Sequence, residues 1–167
     1  MEYVFEDFIF GFIDKEITEV KAKAQSVSKA LAENGTFLLK PDLFLEIGDK
    51  NIIADTKYKI VYSDEKDPKY GISQNDLYQM LAYAVRFKIE DILLFYPETI
   101  THYQSNKSSI TILDELANKT PITIKSYQLP IINKAIFTND NIENISLQEL
   151  FVEVKENLVV KLKEILL

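Results

Sequence analysis

Apolar and polar positions recur with helical period at the two ends of the chain and near its middle, and with period two or in short apolar runs between them. From Val4 to Glu33 the pattern reads as helix, bent or broken near Gly11, with Phe5, Phe8, Ile9 and Phe12 forming the stripe that packs on a core. Residues 38–60 read as a hairpin. Leu43, Leu45 and Ile47 alternate with Asp42, Phe44 and Glu46, and Asn51 to Ile60 is rich in strand-favouring Ile and Tyr. Ser73 opens a helix over 73–88, with Asp76 completing a capping-box pattern and Leu77, Leu81, Ala84 and Val85 as its buried stripe. Glu90 to Tyr96 is an apolar run suited to an interior strand, and 110–113 and 122–129 add further strands. The closing helix, 147–167, starts at a second capping box, Ser146 with Glu149. Leu147, Leu150, Phe151, Val154, Leu158, Leu162 and Ile165 repeat along it, a stripe that docks on the domain or meets a partner. These elements make a single α/β domain over residues 1–167, a central mixed sheet flanked by helices.

The hairpin carries the candidate chemistry. With Gly48-Asp49-Lys50-Asn51 as the turn and Ile47 opposite Ile52, Phe44 faces Asp55 and Asp42 faces Lys57, so that Asp42, Asp55 and Lys57 share one face. Two carboxylates are hard oxygen ligands for Mg²⁺, with Mn²⁺ able to substitute, and a carbonyl near Thr56 would complete the protein's share. A divalent ion there polarises a phosphodiester and acidifies a water, while an ammonium at Lys57 offsets charge growing on the phosphate. The plain alternative is a solvated hairpin with a surface ion pair. On the helix that follows, Gln79 and Tyr83 stand one turn apart, where the amide can orient a water or a phosphate oxygen. Glu6 lies off the first helix's stripe; it reads equally as a carboxylate reaching the same site or as a first-turn residue favouring the helix dipole. His102, in a polar stretch, reads as a surface residue.

Composition narrows the classes. With 167 residues, 47% of them hydrophobic, the chain builds one core rather than two. There is no cysteine, hence no disulfide or thiolate metal site; no apolar run approaches membrane-spanning length, and the acidic start lacks the basic end of a secretory signal, so a cytoplasmic protein is expected. No Gly-rich phosphate loop is present, so nucleotide hydrolysis is not expected of this chain. The formal charge of -7 opposes tight binding to DNA, which leaves local contacts from Lys59, Lys66 and Lys69 near the hairpin and delivery to DNA by another protein.

Lys40-Pro41-Asp42, Ile52-Ile53-Ala54-Asp55-Thr56-Lys57-Tyr58-Lys59 and Ser73 to Ala84, in this order, resemble the PD-(D/E)xK nuclease superfamily and within it the McrC-like nuclease domains of methylcytosine-dependent restriction systems. Phe5-Glu6-Asp7-Phe8 resembles the acidic helix with which such domains begin. The resemblance covers roughly the first three-fifths of the chain and implies a restriction-endonuclease-like fold. It also implies Asp42 and Asp55 as metal ligands, Lys57 as the motif lysine, Gln79 and Tyr83 as the Gln-x-x-x-Tyr element, and an McrB-like AAA+ GTPase as partner in cutting modified foreign DNA. McrC subunits usually carry a further N-terminal region, whereas here the nuclease-like part begins at once. A RecB-like exonuclease or repair nuclease shares the same hairpin and Gln element, and a non-catalytic assembly module would keep the fold without the reaction.

Overall fold

The computed structural model describes residues 1–59, 69, 71–98, 107–133 and 146–167. Among the described residues eight strands and three helices follow one another as α1 (Glu2–Glu16), β1 (Lys21–Ala24), β2 (Lys29–Ala30), β3 (Leu38–Leu39), β4 (Leu43–Ile47), β5 (Lys50–Thr56), α2 (Gln74–Phe87), β6 (Asp91–Pro97), β7 (Lys107–Asp114), β8 (Thr120–Leu129) and α3 (Leu147–Leu166). Six strands form a mixed sheet in the order β1-β4-β5-β6-β8-β7, and β2 pairs with β3 as a separate ribbon. The β1, β4 and β5 pairings are antiparallel, β5, β6 and β8 run parallel, and β7 returns antiparallel to β8.

Alternation along the central strands divides the core in two. Leu43, Leu45, Ala54, Phe95 and Leu129 face one side, where Phe5, Ile9 and Ile13 of α1 and Leu158, Leu162 and Leu166 of α3 cover them. Phe44, Ile53, Ile92, Leu94, Tyr96 and Ile124 face the other, under Met80, Tyr83, Ala84 and Phe87 of α2. The parallel β5–β6 join requires a crossover, and α2 lies within it. The chain is thus an α/β protein with a mixed sheet between helices.

Several expectations are corrected. The first helix ends at Glu16 rather than near Glu33, and Gly11 does not break it. Beyond it, Val20 and Ala22 are buried while Lys21 is exposed, a period of two that lets Lys21–Ala24 pair with Leu43–Glu46 as an edge strand; this pairing overrides the helical propensity of Lys and Ala. The buried face of α1 runs through Phe5, Ile9 and Ile13, and Phe8 sits at the rim, its ring 5.7 Å from that of Phe12. In α2 the buried stripe is centred on Met80, Tyr83, Ala84 and Phe87, with Leu77 and Leu81 partly buried and Val85 exposed. In α3, Leu147 and Phe151 are exposed, while Leu150, Leu158, Leu162 and Leu166 are buried.

The hairpin turn is tighter than expected. Gly48 adopts φ +57°, a conformation suited to a two-residue turn, and Ile47 pairs with Lys50 instead of Ile52. A displacement of two residues preserves every side chain's face, because the side-chain period is also two. Extended by one pair beyond Leu43 and Ala54, the register carries Asp42 to the position facing Asp55 rather than Lys57. Ile60, Lys66 and His102 lie outside the described residues.

Candidate active site

Asp42 stands one residue before β4, at a bend, and is therefore released from strict strand alternation. Its Oδ2 accepts from both the backbone N–H and the hydroxyl of Thr56, each at 2.8 Å, so the end of β5 fixes the carboxylate's orientation. Its backbone carbonyl accepts from the Gln25 N–H at 3.0 Å, and the Gln25 side-chain amide donates to Glu6. Gln25 thereby links the first helix to the hairpin. Glu6 is buried, not solvated, and burial followed by the nearby charge of Asp42 holds its pKa above the ordinary carboxylate range.

Asp55 is the most confined acid of the group, with 1% of its surface exposed. Its Oδ1 has no hydrogen-bond partner among the described residues, and its Oδ2 meets only the ammonium of Lys57, as an ion pair. Burial, reinforced by Asp42, pushes the carboxyl up to about 7 despite that ammonium. Lys57 experiences the opposite balance. Burial disfavours its charged form, but Asp55, Asp42 and Asp76 together outweigh this and raise its pKa, so the side chain stays an ammonium at neutral pH. Burial is the larger cause at Asp55 and opposes the shift at Lys57; what the two share is the neighbouring negative charge of Asp42 and Asp76, which favours a proton on either group.

The ammonium of Lys57 also donates to Gln79 Oε1 at 3.0 Å. The Gln79 amide donates in turn to the Tyr83 hydroxyl at 2.8 Å, and that hydroxyl donates to the carbonyl of Lys40 at 3.2 Å. The relay starts on β5, crosses one turn of α2, and returns to the residues leading into Asp42. Burial and the charges of Asp55 and Asp42 raise the Tyr83 pKa, which keeps the phenol a proton donor. The helix itself is fixed by Ser73, whose hydroxyl accepts from the Asp76 N–H at 3.2 Å. The Asp76 carboxylate is taken up by Lys59.

Asp42, Asp55, Lys57, Gln79 and Tyr83 therefore form one connected cluster, with Glu6 beside it through Gln25. Thr56 takes part by holding Asp42. Lys59, a candidate for DNA contact, is engaged with Asp76, and Lys69 lies exposed at a turn. Gln25 carried no signal in the sequence because its segment read as helix. Asp76 read only as a cap.

The donor set suits a hard divalent cation in part of its shell. Asp55 offers a buried oxygen without a partner, and Asp42 has one oxygen held by Thr56. Among the described residues no group of three or more His, Cys, Asp or Glu side chains is placed to hold a metal ion. No helix among the described residues is long and apolar enough to cross a membrane.

A search of curated proteins finds no match to the chain. Residues 1–97, which span α1 to β6 and hold every member of the cluster, match the model of a family described as McrBC 5-methylcytosine restriction system component, and the chain belongs to that family.

Proposed function

We propose that this chain is a metal-dependent DNA endonuclease of the PD-(D/E)xK type that cuts phosphodiesters for the restriction system of its family. The observation that carries the reading is the buried, half-unpartnered carboxylate of Asp55, set beside Asp42 and tied through Lys57 to Gln79 and Tyr83. An ordinary ion-paired hairpin would leave its acid in water; here burial costs free energy that only a ligand or a function offsets.

Asp42 and Asp55 would hold Mg²⁺. The bound ion supplies positive charge that polarises the phosphodiester and acidifies the attacking water. Thr56 keeps Asp42 from rotating away. Lys57, protonated at neutral pH, acts as a donor toward the phosphate rather than as a base, and offsets the negative charge that grows there as the bond breaks. Gln79 fixes the reach of Lys57 by accepting one of its protons, and Tyr83 fixes Gln79. Glu6 adds negative charge at the edge of the site.

A restriction role would make modified foreign DNA the substrate, with an McrB-like AAA+ GTPase as the partner that recognises it; the family match supports this reading. The decisive experiment follows cutting of methylated and unmethylated DNA by the purified chain, with Mg²⁺ or Mn²⁺ and with or without that GTPase and GTP. Metal-dependent cutting that disappears in Asp55→Ala supports the reading; cutting unchanged by chelation or by that substitution overturns it.

A further inference from the structure

Apart from the ion-paired Asp55 Oδ2, three buried polar atoms lack hydrogen bonds among the described residues, and sheet register places their side chains on the same face. They are Asp55 Oδ1 on β5, the Tyr96 hydroxyl on β6 and Gln128 Oε1 on β8. Asp55 aligns with Leu94 and Thr56 with Phe95, so the next step along the parallel pair brings Tyr96 beside Lys57. Tyr96 in turn aligns with Gln128. Tyr96 is 1% exposed, and the Lys59 ammonium lies 6.0 Å from its ring centre. The negative charges of Asp76 and Asp55 both reach its phenol and add to burial in raising its pKa. A tyrosine held only by packing would be a poorer choice than phenylalanine, since burying a hydroxyl without a partner is unfavourable.

The Tyr96 hydroxyl is a donor and Asp55 Oδ1 an acceptor, and Tyr96 stands diagonally from Asp55, one strand across and two residues along, so a single water can accept from the first and donate to the second. Gln128 lies a further strand away, as the neighbour of Tyr96 rather than of Asp55. We propose that Tyr96 is a positioning residue of the candidate nuclease site, its hydroxyl donating to a buried water that also binds Asp55 Oδ1 and so fixes the carboxylate that would hold the metal. The proposal rests on the metal-dependent reading above and extends the site to β6. Groups behind a metal ligand set its orientation, and their loss commonly weakens metal affinity 10–100-fold.

The test measures Mg²⁺ binding by calorimetry, without DNA, and thermal unfolding of the metal-free protein. It compares wild type, Tyr96→Phe and a control, Tyr127→Phe, whose ring packs on the opposite side of the sheet. Tyr96→Phe is expected to weaken Mg²⁺ binding about 10-fold with Tm changed little, and Tyr127→Phe to leave binding intact. A high-resolution crystal structure should show the shared water. Unaltered Mg²⁺ affinity in Tyr96→Phe, or a Tyr96 hydroxyl bonded away from Asp55, overturns the inference while leaving the nuclease reading in place. Failure of the wild type to bind Mg²⁺ at all overturns that reading, and the inference with it.

Discussion

At the scale of single residues, the charge state of Asp55 governs what the site can do. Its carboxyl titrates at about 7, above the ordinary value of 3.8, because burial and Asp42 outweigh Lys57. The folded state then holds a proton that the unfolded chain has already released, so stability falls as pH rises from about 4 to 7. Replacing Asp55 by Asn removes that slope: the metal-free variant should gain on the order of 2–4 kcal/mol relative to wild type at pH 8 and little at pH 4, as read by urea denaturation at each pH. Mg²⁺ affinity of the wild type should rise across the same interval, because the ion displaces the proton. Lys57→Ala tests the chemistry separately. Its cutting rate should drop by about 10²–10³-fold, with Mg²⁺ binding retained in calorimetry; full activity in this variant would remove Lys57 from the mechanism. The gathering of Asp42, Asp55 and Lys57 at one place was legible in the sequence because their spacing on the two strands carries it. Tyr96 and Gln128 were not, since each reads as one more member of a strand until the parallel register aligns them.

At the scale of elements, capping and periodicity predicted well where local and tertiary preferences agree. Ser146 forms its full capping box with Glu149, and the helix begins where that pattern placed it. The stretch from Lys21 to Ala24 misled because Lys-Ala-Lys-Ala has good helical propensity, and β4, distant in sequence, supplies the pairing that extends it. The hairpin register was displaced by two residues because turn length depends on the left-handed backbone of Gly48, which sequence suggests without specifying how many neighbours join the turn. Faces survived the error, so the cluster did as well. α2 is the element whose position matters most to the site, since it carries both Gln79 and Tyr83. Ser73→Ala removes its N-cap and should lower stability by about 1 kcal/mol. Ser146→Ala should have a similar effect on Tm through α3, far from the cluster in the fold. Comparing the two by denaturation and by cutting rate separates the cap's general contribution from its effect on the site: only Ser73→Ala should reduce activity at a temperature where both variants remain folded.

At the scale of the whole molecule, net charge limits how the chain meets DNA. Nineteen Lys and Arg against twenty-six Asp and Glu leave -7, and Lys57 and Lys59 near the site are engaged with acids. Few phosphates can be neutralised, so little affinity comes from counterion release. The isolated chain should bind unmodified duplex DNA weakly at physiological salt in a titration, and turnover of long methylated DNA should rise when the GTPase and GTP are added, because a DNA-bound partner raises the local concentration of substrate. Efficient cutting by the chain alone, independent of GTP, would favour a free-standing nuclease. The two-sided core follows the same division of labour: α1 and α3 close one face, while α2 and the cluster occupy the other.

The seam between β5 and β6 pairs Ile53–Thr56 with Ile92–Phe95, with the Lys57 N–H donating on to the Phe95 carbonyl at 2.8 Å, whereas β6 with β8 and β7 with β8 pair over longer spans. It divides an antiparallel half, bearing Asp42, Asp55 and Lys57, from a second half bearing Tyr96 and Gln128. Parallel strands across a long connection close late in folding, because chain entropy opposes their contact until the connecting helix has docked. The two halves of the site would therefore meet only when this seam closes, so that the centre is put together among the last events of folding rather than within either half alone.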